Sequence, residues 1–207
     1  MASASATKEQ ILDVAERAIA QNGYAGTTLR SIVKEANVNI AAIHYHFGSK
    51  EGLYEALIAR IAQPIVAEQI KTLDSLEAEA SGPLPAKDIL SAYLKPSLSP
   101  EICGAKTKPE RWQFIGRSLT EPDPLQSIAD EQFSESTQRY LDALQRALPN
   151  QTRSQLTWKL DLVVNCLVRT LSESGKPHAL MVSNQPEVAK AAIEKLMLFL
   201  LPGLEQD

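Results

Sequence analysis

Apolar side chains recur along most of the chain at intervals of three and four residues, which is the spacing of one face of an α-helix. The first such run contains Ile11, Leu12, Ala15, Ala18 and Ile19. We find no stretch with the strict alternation of apolar and polar residues that is typical of a half-exposed strand. The pattern therefore predicts an all-α fold.

Glycine, proline and capping residues divide this pattern into separate helices. The first helix is predicted to begin at a capping box formed by Thr7 and Gln10 and to end before Gly23. Further helices are predicted over residues 28–36, 40–47, 49–80, 86–98, 109–120, 124–148, 152–174 and 186–201. Pro64 lies inside the longest of these, where we expect a kink or a break.

The second and third predicted helices are too short to bury much surface on their own. They need the first helix as a third wall, which is the arrangement of a helix-turn-helix unit. The residues available for this small core are Ile11, Val14, Ala15, Leu29, Ile32, Val33, Val38, Ile43 and Phe47. We therefore predict an N-terminal three-helix, helix-turn-helix domain over residues 1–52 and a C-terminal helical domain over residues 53–207.

Composition adds only limits to this picture. The formal net charge of the 207 residues is −4, and no apolar run approaches the ~20 residues that span a bilayer. The beginning of the chain lacks a signal-peptide pattern. The cysteines, Cys103 and Cys166, are too few and too far apart for a disulfide framework. These features predict a cytoplasmic protein without membrane contact.

The stretch "NVNIAAIHYHFGSKEGL", residues 37–53, concentrates histidine, tyrosine and lysine. On a helix, side chains at His44 and His46 point roughly 200° apart, so they are poorly placed to share a metal ion. A two-turn surface helix also lacks the pocket and the nucleophile that a catalytic base requires. A structural role in the core and contact with a phosphate backbone remain open for these residues.

The wider pattern G-Y-x-x-T-T-L-R-S-I-x(5)-V-x(4)-I-H-Y-H-F-G-S-K-x-x-L resembles the DNA-binding signature of the TetR/AcrR family of transcriptional regulators. The resemblance covers about residues 7–60. The shorter string "VNIAAIHYHFGSK" is similar to a subset of members that respond to fatty acids or acyl-CoA.

The resemblance implies that Tyr45, His46 and Lys50 contact DNA phosphates. The chemistry agrees, since a phenolic hydroxyl and an ammonium group donate hydrogen bonds to phosphate oxygens. Thr27 and Thr28 are expected to touch the DNA backbone, and capping of the second helix is an alternative or additional role.

Base recognition is expected from two helices. The resemblance places Arg30 where its guanidinium can reach a guanine edge, and a solvated arginine is the alternative. Candidates on the third helix, where small side chains permit close approach to a groove, are Asn39, Ile40, Ala41, Ala42 and His44.

The middle helices are expected to enclose an effector pocket, although each apolar residue in them could equally be ordinary core. The candidate ligand-binding residues are Tyr93, Trp112, Phe114, Ile115, Arg117, Phe133 and Tyr140. Arg111 and Arg117 are placed either to hold an anionic head group or to form surface salt bridges.

Two-fold dimers suit palindromic operators, so one surface should be self-complementary. The last two helices carry apolar stripes that predict a four-helix bundle across a dimer axis, or alternatively face their own core. The candidate interface residues are Leu160, Val164, Leu167, Leu171, Ile193, Leu196, Met197 and Leu200.

These features predict a ligand-responsive homodimeric repressor that leaves its double-stranded DNA operator when a small, hydrophobic or amphiphilic effector binds. We expect no cofactor, no metal and no enzymatic activity. The alternative is a small all-α enzyme acting on a lipid or isoprenoid. Such an enzyme needs clustered acidic or metal-binding residues, and neither D-D-x-x-D nor E-x-x-H occurs in the sequence.

Overall fold

The computed structural model describes residues 4–104 and 110–206. Within these residues there are nine α-helices and no strand, which confirms the predicted all-α class. The helices are α1 (Ala4–Gly26), α2 (Leu29–Glu35), α3 (Ile40–Phe47), α4 (Lys50–Glu79), α5 (Ala86–Leu98), α6 (Glu110–Ser118), α7 (Leu125–Ala147), α8 (Arg153–Ser172) and α9 (Pro186–Glu205).

The start of α1 differs from the prediction. The helix begins at Ala4, so Thr7 lies inside it and does not cap it. The amide of Gln10, which was expected to complete the capping box, instead donates to the carbonyl oxygen of Ala36 at 2.9 Å. The end of the helix agrees better, because Gly23 adopts a positive φ of 73° at the predicted stop. Gln10 thus makes a tertiary hydrogen bond where the sequence predicted a local helix cap.

Helices α1, α2 and α3 close the predicted small core. Ile11, Ala15, Ile32 and Ile43 have no exposed surface, and the remaining predicted members are buried or packed against this cluster. Each short helix has a capping side chain, since Thr28 accepts from the backbone N–H of Ser31 and Asn39 accepts from that of Ala41. Caps and a shared core thus fix two helices that would not be stable alone.

Helix α4 joins the N-terminal unit to the rest of the chain. It continues without a break from Lys50 to Glu79, so the break expected at Pro64 is not present. Its buried face includes Leu57, Ile61 and Ile65 and packs against α1, α5 and α7. Tertiary packing on this face offsets the hydrogen bond that proline removes.

The remaining helices form the C-terminal helical unit, whose core contains Trp112, Phe114 and Tyr140. Helix α6 packs against α1 on one side and α8 on another, and α9 packs against α5. Gly116 on α6 allows this closeness, because a Cβ atom there would lie 2.5 Å from the backbone nitrogen of Ser172 and 2.9 Å from its Cα atom. The predicted start of α6 at Pro109 lies outside the described residues.

Candidate DNA-binding surface and effector cavity

Helices α2 and α3 and the residues that cap them expose several side chains on the side away from their core, and we call this side the α2–α3 surface. Thr28, Arg30, Asn39 and Ala41 are exposed, and Ile40 is 38% exposed. Ala42 is half-buried against the core and only partly available. The turn between the helices depends on Asn37, whose φ of 49° lies in the left-handed region that asparagine tolerates well. The fold therefore brings most of the predicted DNA-contacting residues to one surface.

Among the aromatic side chains near the end of α3, that of Tyr45 is largely exposed to solvent. Tyr45 is 81% exposed, and its ring contacts the half-buried His46 edge-on at a centroid distance of 4.9 Å. The His44 ring is exposed, but its Nδ1 lies 2.9 Å from the carbonyl oxygen of Gly48. Because that oxygen can only accept, Nδ1 carries the proton and Nε2 is the atom left to face a ligand.

Lys50 opens α4 beside this surface and is half-buried. Its ammonium donates to the carbonyl oxygen of Tyr24 at 2.6 Å and lies 4.0 Å from the centroid of the Tyr24 ring. An ammonium has three donors, so this hydrogen bond leaves donors for a phosphate oxygen. Burial, followed by the hydrogen bond to Glu51, raises the pKa of the Tyr24 hydroxyl. The backbone carbonyl and the ring of Tyr24 together hold Lys50 in place.

Thr27 does not fit its predicted role. The residue is only 2% exposed, and its hydroxyl donates to the carbonyl oxygen of Gly23 at 2.8 Å. It fastens the turn between α1 and α2 and offers no surface to DNA. Thr28 is exposed and caps α2 in a capping box with Ser31, so the capping alternative holds for this residue.

A cavity of about 340 Å³ lies inside the C-terminal unit. Helices α4, α5, α6, α7 and α8 all contribute to its wall, and most of the surface is apolar. Its lining residues are Ile65, Gln69, Tyr93, Ser97, Ile115, Leu119, Asp130, Phe133, Ser134, Thr137, Gln138, Leu141, Thr157, Leu160, Asp161, Val164, Leu167 and Leu171. A mostly apolar cavity of this size with a few polar groups is typical of a small-molecule site.

Three of the predicted ligand-binding residues, Tyr93, Ile115 and Phe133, line this cavity. Trp112, Phe114 and Tyr140 do not, because they are buried in the solid core. The Tyr140 hydroxyl donates to the backbone carbonyl of Gln69 at 2.9 Å. Sequence periodicity marked these aromatic residues as buried but could not separate core from cavity wall.

Arg111 and Arg117, considered either for an anionic head group or for salt bridges, both contact α1. Arg111 forms a bidentate pair with the buried Glu16 of α1, with Nε 2.7 Å from Oε1 and Nη2 2.8 Å from Oε2. Burial favours a lower pKa for Arg111, but the hydrogen bonds and charge of Glu16 outweigh it and raise the pKa. Arg117 donates to the carbonyl oxygen of Ala20 at 3.1 Å. Both arginines thus connect α6 to α1.

Glu16 is the centre of this connection. Its side chain is 2% exposed and also pairs with Arg60 of α4. Arg60 reaches Asp13 at 2.9 Å and Glu9 at 3.2 Å as well. Three helices, α1, α4 and α6, therefore meet at one buried carboxylate, which the sequence alone did not indicate.

The predicted dimer residues face inward. Leu160, Val164, Leu167 and Leu171 line the cavity, while Leu196 and Leu200 are buried within the same subunit. Ile193 and Met197 are half-buried beside a groove between α5 and α9. This burial favours the alternative, packing within their own domain, for the fully buried residues, whereas the dimer role of the half-buried Val164, Ile193 and Met197 stays a prediction.

Other large apolar residues on α8 and α9 are left exposed. We define the outer face as Trp158, Leu162, Leu198 and Phe199, whose exposed fractions are 51%, 52%, 81% and 75%. The sequence does indicate part of the outer face, because the segment "LMLFLLPGL", residues 196–204, is apolar on every side of the helix. A helix that is apolar all round is normally covered all round.

Other cavity residues were missed for a simpler reason. Gln69, Asp130, Thr137 and Asp161 are polar residues on helical segments, and nothing in their spacing separates them from solvated positions. Only the packing of α4, α7 and α8 shows that they share one cavity. Within the described parts of the chain, no group of acidic, histidine or cysteine side chains is arranged to hold a metal, and no helix is long and apolar enough to cross a membrane.

Comparison with known families gives two matches. Residues 91–203 match the family described as "Tetracyclin repressor-like, C-terminal domain", and residues 11–57 match "Bacterial regulatory proteins, tetR family". Together the two matches cover both the α2–α3 surface and most of the cavity wall.

Curated relatives match over a short part of the chain. The chain is 43% identical over 53 residues to a probable HTH-type transcriptional regulator, YttP, of Bacillus subtilis, which is 26% of each protein. It is 44% identical over 48 residues to IcaR of Staphylococcus aureus, a negative transcriptional regulator of a biofilm operon, covering 23% of this chain and 26% of IcaR. The match spans about a quarter of these relatives.

Solved structures share the whole fold at low identity. The fatty acid degradation regulator FadR of Bacillus halodurans superimposes with a TM-score of 0.69 at 14% identity, covering 97% of both chains. FadR of Bacillus subtilis in complex with stearoyl-CoA gives a TM-score of 0.63 at 17% identity, covering 94% of this chain and 98% of FadR. At such identities these likenesses establish the fold alone.

Proposed function

Since the chain belongs to the tetR family of bacterial regulatory proteins, we propose that it is a homodimeric repressor released from a palindromic DNA operator by a small, largely hydrophobic effector. The family is one of regulators and not of enzymes, in agreement with the preferred prediction. Residues 1–52 would bind DNA, and residues 53–207 would bind the effector and the second subunit.

The α2–α3 surface supports the DNA contact. Exposed Thr28 and Tyr45 offer hydroxyl groups to phosphates, and exposed Arg30 has a guanidinium fork suited to a guanine edge. Asn39, Ala41 and His44 line the exposed side of α3, where the small alanine allows close approach to a groove. His46 and Lys50 are half-buried and would contact the backbone at the edge of the surface.

The observation that carries the proposal is the position of α6 between the two sites. Ile115 on α6 and Leu119 directly after the helix line the cavity, while Arg111 and Arg117 on α6 bind α1. Helix α4 also reaches both sites, with Lys50 near the α2–α3 surface and Ile65 and Gln69 in the cavity wall. An effector that shifts α6 or α4 would therefore move the DNA-binding helices.

The cavity supports a hydrophobic or amphiphilic effector. Its inner wall is formed by Ile65, Leu119, Leu141, Leu160 and Leu167. Burial of an apolar ligand against such a wall is the main source of its binding free energy. The complex of Bacillus subtilis FadR with stearoyl-CoA shows that a protein of this fold accommodates an amphiphile.

The outer face supports a homodimer. Exposed Trp158, Leu162, Leu198 and Phe199 would be covered by the same residues of a second copy, as in a two-fold interface. Two copies would place two α3 helices for the half-sites of a palindrome. The two free cysteines, Cys103 and Cys166, fit the reducing cytoplasm in which we place the protein.

Salt-dependent DNA binding tests the core of this proposal. Fluorescence anisotropy with a duplex from upstream of the protein's own coding sequence should show log K falling by about 0.9 per decade of salt for each neutralised phosphate. Lys50→Ala should reduce this slope by about one unit. The matched control is Lys71→Ala, because Lys71 is 73% exposed on the same helix about 30 Å further along.

Two results would contradict the proposal. The first is the absence of preference for the upstream duplex over a random duplex at physiological salt. The second is a salt slope that Lys71→Ala reduces as much as Lys50→Ala, since the contact would then not be local to the α2–α3 surface.

A further inference from the structure

The mouth of the cavity differs chemically from its interior. On α7 and α8 the lining residues nearest solvent are Asp130, Ser134, Gln138, Thr157 and Asp161, all of which are exposed. Asp130 and Asp161 are the charged members of the lining, and both are acidic. A ligand with an apolar body inside the cavity would thus place its polar end beside two carboxylates.

Neither carboxylate is neutralised by a neighbouring cation within the described residues. No ion pair or side-chain hydrogen bond joins Asp130 or Asp161 to another described group, and none of the lining residues is lysine or arginine. Arg153 of α8 donates to Gln138 at the mouth at 3.0 Å but is paired with Asp142 at 2.6 Å. Arg111 and Arg117 are held by Glu16 and by the carbonyl oxygen of Ala20. The mouth therefore keeps uncompensated negative charge.

The acidic groups interact with each other. Partial burial, and then the negative charges of Asp123 and Asp161, raise the pKa of Asp130. The charged forms of Asp130 and Asp161 therefore disfavour one another across the mouth. A positive charge placed between them would relieve this repulsion, whereas a third negative charge would increase it.

An aromatic ring lies next to this acidic pair. Phe133 is half-buried in the lining of the cavity, three residues after Asp130 on the same helix. Aromatic faces attract quaternary and other organic cations, and the attraction is stronger in a partly desolvated site. An apolar interior, an aromatic ring and two unpaired carboxylates together form a site with a defined charge preference.

We propose that the effector cavity selects an amphiphilic organic cation, with its apolar body among the leucines and its charged end between Asp130 and Asp161. This inference rests on the proposed function, because it assigns a ligand class to the same cavity. It excludes free fatty acids and other amphiphilic anions as preferred ligands. The sequence, by contrast, left contact with an anionic head group as one of two roles for Arg111 and Arg117.

Three amphiphiles with the same chain test the charge preference: decyltrimethylammonium, decanol and decanoate, each titrated by calorimetry below its micelle-forming concentration. The expected order of affinity is ammonium first, alcohol second and carboxylate last. The double substitution Asp130→Asn with Asp161→Asn should weaken ammonium binding by roughly threefold to tenfold and leave decanol binding unchanged. Both sites are exposed, so the variant should fold normally.

Glu131→Gln is the matched control. Glu131 is exposed on α7 directly after Asp130 but does not line the cavity. Its substitution removes an equal charge from the same helix, so it measures the general attraction of an acidic protein for cations. Ammonium binding to this variant should stay within about twofold of the wild type.

The outcomes separate this inference from the proposed function. If decanoate binds as tightly as the ammonium, or if the double variant keeps the wild-type order, the cation preference is wrong while a hydrophobic effector remains supported. If neither decanol nor the ammonium binds, the hydrophobic effector and the cation preference both fail, although DNA binding would be unaffected.

Discussion

The α2–α3 surface and the effector cavity are built in opposite ways. The surface comes from one continuous segment, residues 28–50, whose candidate DNA-contacting side chains are mostly exposed and whose caps are local. The cavity is assembled from five helices between Ile65 and Leu171, and its polar residues are scattered along the sequence. A local site leaves a recognisable pattern in the sequence, whereas an assembled site depends on which faces of distant helices meet.

The two regions are also connected to the rest of the protein in different ways. The α2–α3 surface is open to solvent, but its foundation, α1, is tied to α6 through Glu16 and Arg111. The cavity wall uses the same segment, through Ile115 on α6 and Leu119 directly after the helix. Substitutions can therefore be chosen that affect one region, the other, or only the connection between them.

The largest expected effects on folding and assembly come from charges placed on the inner side of α8 and on the outer face. Leu167→Asp places an unpaired charge at a position only 6% exposed in the cavity wall, and we expect it to unfold the protein or cost more than about 3 kcal/mol. Leu198→Asp, at a position 81% exposed, should leave the subunit folded and dissociate the dimer. Circular dichroism and analytical ultracentrifugation on both variants measure folding and assembly separately.

The opposite pattern would break this assignment. A folded monomer from Leu167→Asp, with an intact dimer from Leu198→Asp, would return the interface to the residues predicted from sequence. If the wild-type protein is monomeric at micromolar concentration, the outer face is not a dimer interface.

The next effect concerns the connection between the regions. Glu16→Ala leaves the guanidinium groups of Arg60 and Arg111 without their buried partner, so we expect a loss of about 3–5 kcal/mol in the free energy of unfolding. The matched control is Arg17→Ala, which removes a pair to Glu35 whose side chains are 42% and 54% exposed. That change should cost at most about 1 kcal/mol in urea unfolding.

A comparable loss for the two variants would show that the Glu16 cluster is effectively solvated and does not hold α1 against α6. The coupling role would then need another route, such as α4.

A smaller effect is expected where α6 approaches α8. Gly116→Ala introduces a methyl group that would lie 2.5 Å from the backbone nitrogen of Ser172, so α6 and α8 must separate. We expect a cost of about 1–3 kcal/mol and altered effector affinity, because both helices line the cavity. Gly82→Ala is the control, since nothing lies within 4 Å of its Cβ position. Equal thermal stability of the two variants would contradict the close approach.

The smallest effect on stability is expected at Arg30, where the change should instead affect DNA recognition. Arg30→Ala should leave stability unchanged because the residue is exposed, and should cost about 1–3 kcal/mol in binding to the preferred operator. Lys34→Ala removes the same charge one turn further along α2 and should leave the ratio of specific to random DNA affinity unchanged. Anisotropy with operator and random duplexes measures this ratio. An unchanged ratio for Arg30→Ala would show that Arg30 contacts only phosphates.

The sequence predicted the parts of this protein that depend on local physics. Helical periodicity located the helices, asparagine and glycine marked the turns around α3, and the segment from Gly23 to Leu53 indicated the family. It failed locally where a tertiary contact competed. Gln10 bonds Ala36 instead of capping α1, and Thr27 is buried where an exposed contact was expected.

Only the tertiary structure decided which side of each C-terminal helix faces a neighbour, a cavity or solvent. Leu167 and Leu198 are equally apolar in the sequence, yet one lines the cavity and the other lies on the outer face. Arg111 and Arg117 are ordinary basic residues until the packing of α6 places them against α1. The physical reason is that hydrophobic burial is non-directional: a periodic stripe fixes that a helix face will be covered, and the arrangement of the other helices fixes what covers it.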